Sequence, residues 1–164
     1  MRSADLRLLR WMRTTGHTPG LESAAQALGK AGNNGLIWFL LSVALALLDP
    51  SRRESWLICA LLGPAAIGLN YLIKLAVQRP RPVLEGLPPL GGAPSSLSFP
   101  SAHATASFAV ATAMFRVDPA TAGTFVVAIA IALGRPYLGM HYPSDVLAGA
   151  FIGVALGLIV PLSI

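Results

Sequence analysis

What the sequence has least of is charge. Only 12% of its 164 residues are Asp, Glu, Lys or Arg, about half the share usual in a soluble domain. Hydrophobic residues make up 54%, and mean hydropathy is +0.65. A water-soluble core accounts poorly for such a composition; several membrane spans account for it well. The length suits one domain and not two. Cysteine is almost missing. Cys59 stands alone in an apolar run, which excludes an intrachain disulfide and leaves it as a small core or lipid-facing residue. No cleavable signal sequence is read, because the first apolar run of useful length begins only near Gly35. A long basic stripe is also missing. The net charge of +5 is scattered between apolar segments, which argues against nucleic acid and leaves anionic lipid or an anionic substrate as partners. No Asp/Glu/His set has metal-ligand spacing, so neither a metal nor another cofactor is expected.

What is present falls into two parts, residues 1–34 and 35–164. In the first, Arg2, Arg7, Arg10 and Arg13 alternate with Leu6, Leu8, Leu9, Trp11 and Met12. The helical spacing of Leu8, Leu9 and Met12 predicts an amphipathic helix lying on an anionic membrane surface. Thr18 to Asn34 is polar and Gly-rich, hence a connector or a short surface helix. Five apolar segments follow: Gly35–Leu48, Trp56 to about Val77, Ser101–Phe115, Ala120–Leu133 and Val146–Ile164. A spanning helix needs about 20 apolar residues. The second and fifth segments meet that need; the others must borrow flanking residues or be shielded by neighbours. The expected fold is all-α, an integral membrane bundle of about five transmembrane helices. Gly149, Gly153 and Gly157 recur every fourth residue and predict a flat face for close helix packing.

Charge at the ends of apolar helices is costly, so its placement is informative. It gathers at Lys74–Pro82, at Pro100–His103 and at Arg135–Asp145. Counting the helices between them brings all three clusters to one side of the membrane. Lys74, Arg81 and Arg135 are then three cations with few anions nearby, which suits a phosphate dianion. Ser101 follows Pro100 at the head of a helix, where its hydroxyl and free N–H groups form an anion site. Asp145 lies four residues after His141 and can hold one ring nitrogen, leaving the other free to attack. His103 offers a second titratable group for the leaving oxygen. Arg79 reads either as an interfacial anchor or as a secondary member of the site.

These clusters resemble the three-part signature of the type-2 phosphatidic acid phosphatase superfamily, which also includes vanadium haloperoxidases. The family pattern is K-x6-R-P, then P-S-G-H, then S-R-x5-H-x3-D. Here the first is complete from Lys74 to Pro82; Ala102 replaces the glycine of the second, and Gly134 the serine of the third. The resemblance spans about Trp56 to Ile164. It implies that His141 is a nucleophile forming a phosphohistidine, with Asp145 orienting it. It implies that His103 protonates the leaving group and then activates water. Lys74, Arg81, Ser101, Ala102 and Arg135 would bind the phosphoryl oxygens.

The haloperoxidase members are large and soluble, so the short apolar chain points to a lipid phosphatase. Within the family it resembles short actinobacterial members assigned to decaprenylphosphoryl-5-phosphoribose in arabinan precursor synthesis. Polyprenyl diphosphate and phosphatidic acid or phosphatidylglycerophosphate are alternative substrates. A non-catalytic lipid transporter would need only the cations, not both histidines and Asp145. If all five segments span, the side bearing the site also carries Arg2, Arg7, Arg10, Arg13 and Lys30. The other side carries Arg52, Arg53 and Arg116. The positive-inside rule then favours a site on the cytoplasmic face of a bacterial plasma membrane.

Overall fold

Helices form along the apolar runs and stop at the polar, Pro-bearing breaks between them. The computed structural model describes residues 2–92 and 96–163; Ile164, the side chain of Arg2 and residues 93–95 of the long loop lie outside the described residues. Among the described residues there are seven α-helices: α1 (Arg2–Thr14), α2 (Pro19–Ala31), α3 (Leu36–Leu48), α4 (Arg53–Val77), α5 (Ala102–Val117), α6 (Thr124–Tyr137) and α7 (Pro143–Ile159). The stretch read as connector or surface helix is α2. Thr18 caps it, its hydroxyl accepting from the Leu21 N–H at 3.2 Å, with Pro19 beginning the first turn. Asp49-Pro50 ends α3 and Asp118-Pro119 ends α5, with Asp49 and Asp118 outside the helical backbone region, which a following proline disfavours. Ser101 stands at the N-cap of α5, one residue before the helix proper.

Around α5 the other helices assemble. Its Ala104, Ala106, Ala109, Ala111 and Ala113 are all buried, so small side chains let neighbours approach from several directions. The glycine stripe of α7 is one such approach. A Cβ on Gly149 would lie 2.6 Å from the Ser101 carbonyl oxygen, and one on Gly157 2.5 Å from that of Ala109; Gly153 faces the Thr105 carbonyl still more tightly. Polar bonds tie α5 to its other neighbours. Trp38 Nε1 of α3 donates to Ser107 Oγ (2.9 Å), and Asn70 Nδ2 of α4 donates to Thr105 Oγ1 (2.9 Å). Such buried pairs fix helix register where lipid offers no alternative partner.

Two helical stretches, Pro50–Val77 and Pro119–Tyr137, are long and apolar enough to cross a membrane. The pair Pro19–Ala31 and Asn33–Leu48 passes together, bent by 53°, as one broken span or a re-entrant loop. A collar of exposed Leu61, Leu72, Val126, Leu147, Phe151 and Ile159 surrounds the bundle, as suits a lipid-facing surface. Helix α1 packs onto the site end of the bundle. Its Leu9 is buried while Leu8 and Trp11 face outward, and the following His17 stacks on Tyr137 with ring centroids 4.0 Å apart.

Candidate active site

The ends of α4, α5, α6 and α7 and the 78–100 loop converge at one pole. Helix α6 stops at Tyr137, and the chain reverses through Gly139 at φ +78°, a left-handed turn that glycine adopts without strain. That turn delivers Met140 and His141 to the pole, directly before α7. Asp145, in the first turn of α7, is fully buried. Its Oδ2 accepts from the Tyr142 N–H (2.9 Å) and from Ser98 Oγ (2.8 Å), and its Oδ1 accepts from Arg79 Nη1 (2.7 Å). Asp145 thus closes the N-terminus of α7 as well as facing the histidine.

His141 is buried, with Nδ1 3.5 Å from Asp145 Oδ2, longer than a formed hydrogen bond. Nδ1 has no hydrogen-bond partner among the described residues. Nε2 lies 3.2 Å from Arg81 Nη1. Arginine only donates, so Nε2 carries the lone pair and the proton belongs on Nδ1, toward the carboxylate. Burial, aided by the positive Arg81, outweighs Asp145 and pushes His141 down from its ordinary value to about 4. The ring is therefore a neutral base at neutral pH, with Nε2 facing the cations.

Those cations are held without carboxylates. Lys74 Nζ donates to the carbonyls of Leu97 and Ser98. Arg81 donates to Ser96 O (2.7 Å), Ser96 Oγ (3.0 Å) and Met140 O. Arg135 is buried, its Nη2 against the Met140 sulfur and its Nε without a partner among the described residues. Ser101 N donates to Asp145 O (3.0 Å), which ties the head of α5 to the head of α7. The next N–H groups, of Ala102 and His103, stand in the first turn, where a helix offers no acceptor.

Two of the expected residues behave differently. Arg79, read as ambiguous, is fully engaged: besides Asp145 it bonds Ser144 Oγ (2.8 Å) and Asp5 Oδ2 (2.7 Å), and its guanidinium sits 3.9 Å over the Tyr142 ring. His103 is engaged by the N-terminal part of the chain. Its Nε2 donates to Gly29 O (3.0 Å) and faces Asn33 Oδ1 (3.1 Å), both supplied from α2 and the turn after it. Arg135 flanks the same glycine, since a Cβ there would meet its Nη1 at 2.7 Å. Sequence reasoning missed Ser98, Asp5 and Asn33. Asp5 also takes bonds from Ser144 N (3.1 Å) and Ser144 Oγ. Burial raises the Asp5 carboxyl, but these bonds and Arg79 outweigh it and hold it below the ordinary value.

The sequence matches the PAP2 superfamily over residues 35–164. The chain belongs to the PAP2 superfamily. Its PAP2 relatives include the decaprenylphosphoryl-5-phosphoribose phosphatase of Mycobacterium tuberculosis, 37% identical over 87% of this chain and 80% of that one. They also include the undecaprenyl-diphosphatase BcrC of Bacillus subtilis, 31% identical over 66% of this chain and 58% of that one. In fold the chain is similar to a transmembrane PAP2-type phosphatidylglycerolphosphate phosphatase of Bacillus subtilis. That match has a TM-score of 0.77 and 23% identity, and covers 96% of this chain and 83% of that one. This PAP2 protein is accordingly a phosphoester hydrolase with a membrane fold.

Proposed function

We propose that the enzyme hydrolyses the phosphomonoester of a polyprenyl-linked phosphoribose lipid through a phosphohistidine, without a metal. The observation that carries the mechanism is His141, a neutral imidazole whose Nε2 lone pair faces Arg81, among cations that no carboxylate matches among the described residues. Lys74, Arg81 and Arg135, with the first N–H groups of α5, hold the phosphoryl oxygens and stabilise the charge that builds on them. As Arg81 turns from Nε2 to the phosphoryl oxygens, His141 Nε2 attacks phosphorus, the bond to the leaving oxygen breaks, and a protonated His103 gives that oxygen a proton from the nitrogen not bonded to Gly29. Water then attacks the phosphohistidine, losing its proton to His103, and inorganic phosphate leaves with His141 restored. A binding-only protein would need neither the His141 tautomer nor its aspartate.

The substrate rests on the mycobacterial relative, which matches over most of both chains. An apolar groove of about 350 Å³, lined by Met12, Leu21, Leu28, Leu133 and Tyr137, runs past Gly134 beside Arg135 and suits a prenyl chain. A polyprenyl diphosphate is the second reading, favoured by the likeness to BcrC. Five spans, the bent α2–α3 pair counting as one, give a cytoplasmic site. Helix α1 touches the site directly through Asp5, so its exposed Arg7 and Arg10 share the side of the site. The outward Leu8 and Trp11 suit a surface of anionic lipid.

The test is phosphate release by the purified protein in detergent, in EDTA, from three lipids: a polyprenyl phosphoribose 5-phosphate, a polyprenyl diphosphate and phosphatidic acid. Preference for the phosphoribose lipid is expected. Preference for the diphosphate would move the enzyme to carrier-lipid recycling. Activity lost in EDTA and restored by a divalent ion would overturn the metal-free mechanism.

A further inference from the structure

A cavity of about 210 Å³ lies between α2 and the long loop, bordered by Gln26, Gly29, Lys30, Asn33, Arg135 and Met140. We infer that this cavity is the subsite for the leaving group, and that α2 reads a hydroxylated, anionic sugar there through Gln26 and Lys30. The inference rests on the phosphatase reading above and adds to it which residues choose the substrate.

Three observations converge on the cavity. Its Arg135 is 5% exposed and has an Nε without a partner among the described residues, a buried donor that calls for an oxygen ligand. Its Gly29 and Asn33 are the partners of His103, so the group that protonates the leaving oxygen stands behind the wall of this space. The leaving alcohol must therefore lie on this side of the phosphate. A larger cavity, of about 780 Å³ within the long loop, reaches Arg81 but none of the groups around His103. The leaving group belongs in the smaller one.

The lining chemistry selects the alcohol. The amide of Gln26 both donates and accepts, as a ring hydroxyl requires. It also lies 3.4 Å from where a Cβ on Gly91 would stand, so the loop closes over it. The exposed Lys30 forms no ion pair among the described residues and suits a second anion, such as a diester phosphate joining a sugar to its lipid. A diacylglycerol has no ring hydroxyls to match Gln26 and no second phosphate to match Lys30. Both residues lie outside the span matched by the superfamily, as a device for telling substrates apart would.

The experiment compares wild type with Gln26→Leu and Lys30→Leu. The kcat/KM for a polyprenyl phosphoribose 5-phosphate is divided by that for phosphatidic acid in the same micelles. Each substitution should lower this ratio by about tenfold, the scale of one lost net hydrogen bond or charge-assisted contact. As a second readout, free ribose 5-phosphate should compete with the lipid better than glycerol 3-phosphate, and Gln26→Leu should erase the difference. A ratio and a competition unchanged in both variants would overturn the subsite, even with the wild type preferring the phosphoribose lipid. A wild type that prefers phosphatidic acid, while the variants still lose the sugar-phosphate competition, would overturn the proposed substrate and keep the subsite.

Discussion

At the pole away from the site, Arg52 reaches Asp49 (2.6 Å) and Asp118 (3.0 Å), and Arg116 donates to the last carbonyls of α7, Gly157 O (2.8 Å) and Val160 O (2.9 Å). At the site pole, Lys74, Arg81 and Arg135 meet carbonyls, a hydroxyl and a thioether, and no carboxylate within 4 Å among the described residues. The same residue types serve two purposes. A cation matched by a carboxylate is spent on holding helices together. Arg116 is met instead by the carbonyl end of α7, where the helix dipole answers its charge. A cation held by neutral acceptors with no such match keeps its charge for a ligand, and leaving it so is costly unless an anion arrives. Arg79 marks the boundary: it sits at the site pole but is matched by Asp5 and Asp145, so it orients the carboxylate instead of binding phosphate.

The strongest way to break this contrast is to remove the unmatched groups. His141→Ala should lower kcat by about 10⁴-fold or more, and rapid quenching into alkali should trap no phosphoenzyme. Arg135→Met should cost about 10²–10³-fold in kcat/KM, as the loss of one oxyanion donor does. Near-normal turnover in either would mean that these groups serve the fold.

The next effect sharpens the role of Arg81. His141 is held near 4 by burial and by Arg81, against Asp145, so its neutral, attacking form persists as pH falls well below the ordinary imidazole range. Arg81→Met removes a cation that lowers this value. The acid limb of kcat/KM should therefore move to higher pH, toward the usual histidine value, as overall activity drops. The ionisation of the substrate phosphate is common to both proteins and drops out of the comparison. An acid limb that stays in place, or shifts downward, would contradict the assignment.

A smaller effect is expected at Asp5. Asp5→Ala strips Arg79 of one carboxylate and loosens its hold on Asp145, so kcat should fall by about tenfold. Asp5→Glu should recover part of that loss, and substrate KM should change little. A change confined to KM would instead assign Arg79 to phosphate binding.

How much of this was legible depends on sequence distance. Lys74, Arg81, Ser101, Arg135, His141 and Asp145 declared themselves because each sits at the end of an apolar helix, where charge is conspicuous, and because helix parity brings those ends together. The glycine stripe of α7 was legible for the same local reason, a period of four. Asp5 gave no such signal: it sits in a basic helix 139 residues from its partner Ser144, and nothing local distinguishes it from a solvated carboxylate. The polar stretch ending at Asn34 reads as connector or short surface helix, and what decides for α2 is tertiary contact. Ala25 packs on Gly134, and Gly29 holds both His103 and Arg135. The direction of His103 was likewise out of reach, since a motif fixes position along the chain but not which acceptor a ring nitrogen finds.

The smallest expected effect tests the other side of the contrast. Arg52→Met removes a matched cation at the far pole, where its side chain is 39% exposed. An exposed pair screened by solvent contributes little, and Asp49 keeps its bonds from Ser51 and from Trp56 Nε1 (3.1 Å), which help to hold its carboxyl at about 2. The melting temperature in detergent should drop slightly, and kcat/KM should stay within about twofold of wild type. The twenty-five residues of α4, roughly 37 Å of helix, separate this end from the phosphate, and Arg52 is neutralised by Asp49 and Asp118, so little of its field reaches the reacting atoms. A tenfold loss of activity would mean that the far pole governs how the helix ends meet at the site. Matched and unmatched cations would then no longer divide structure from chemistry in this protein.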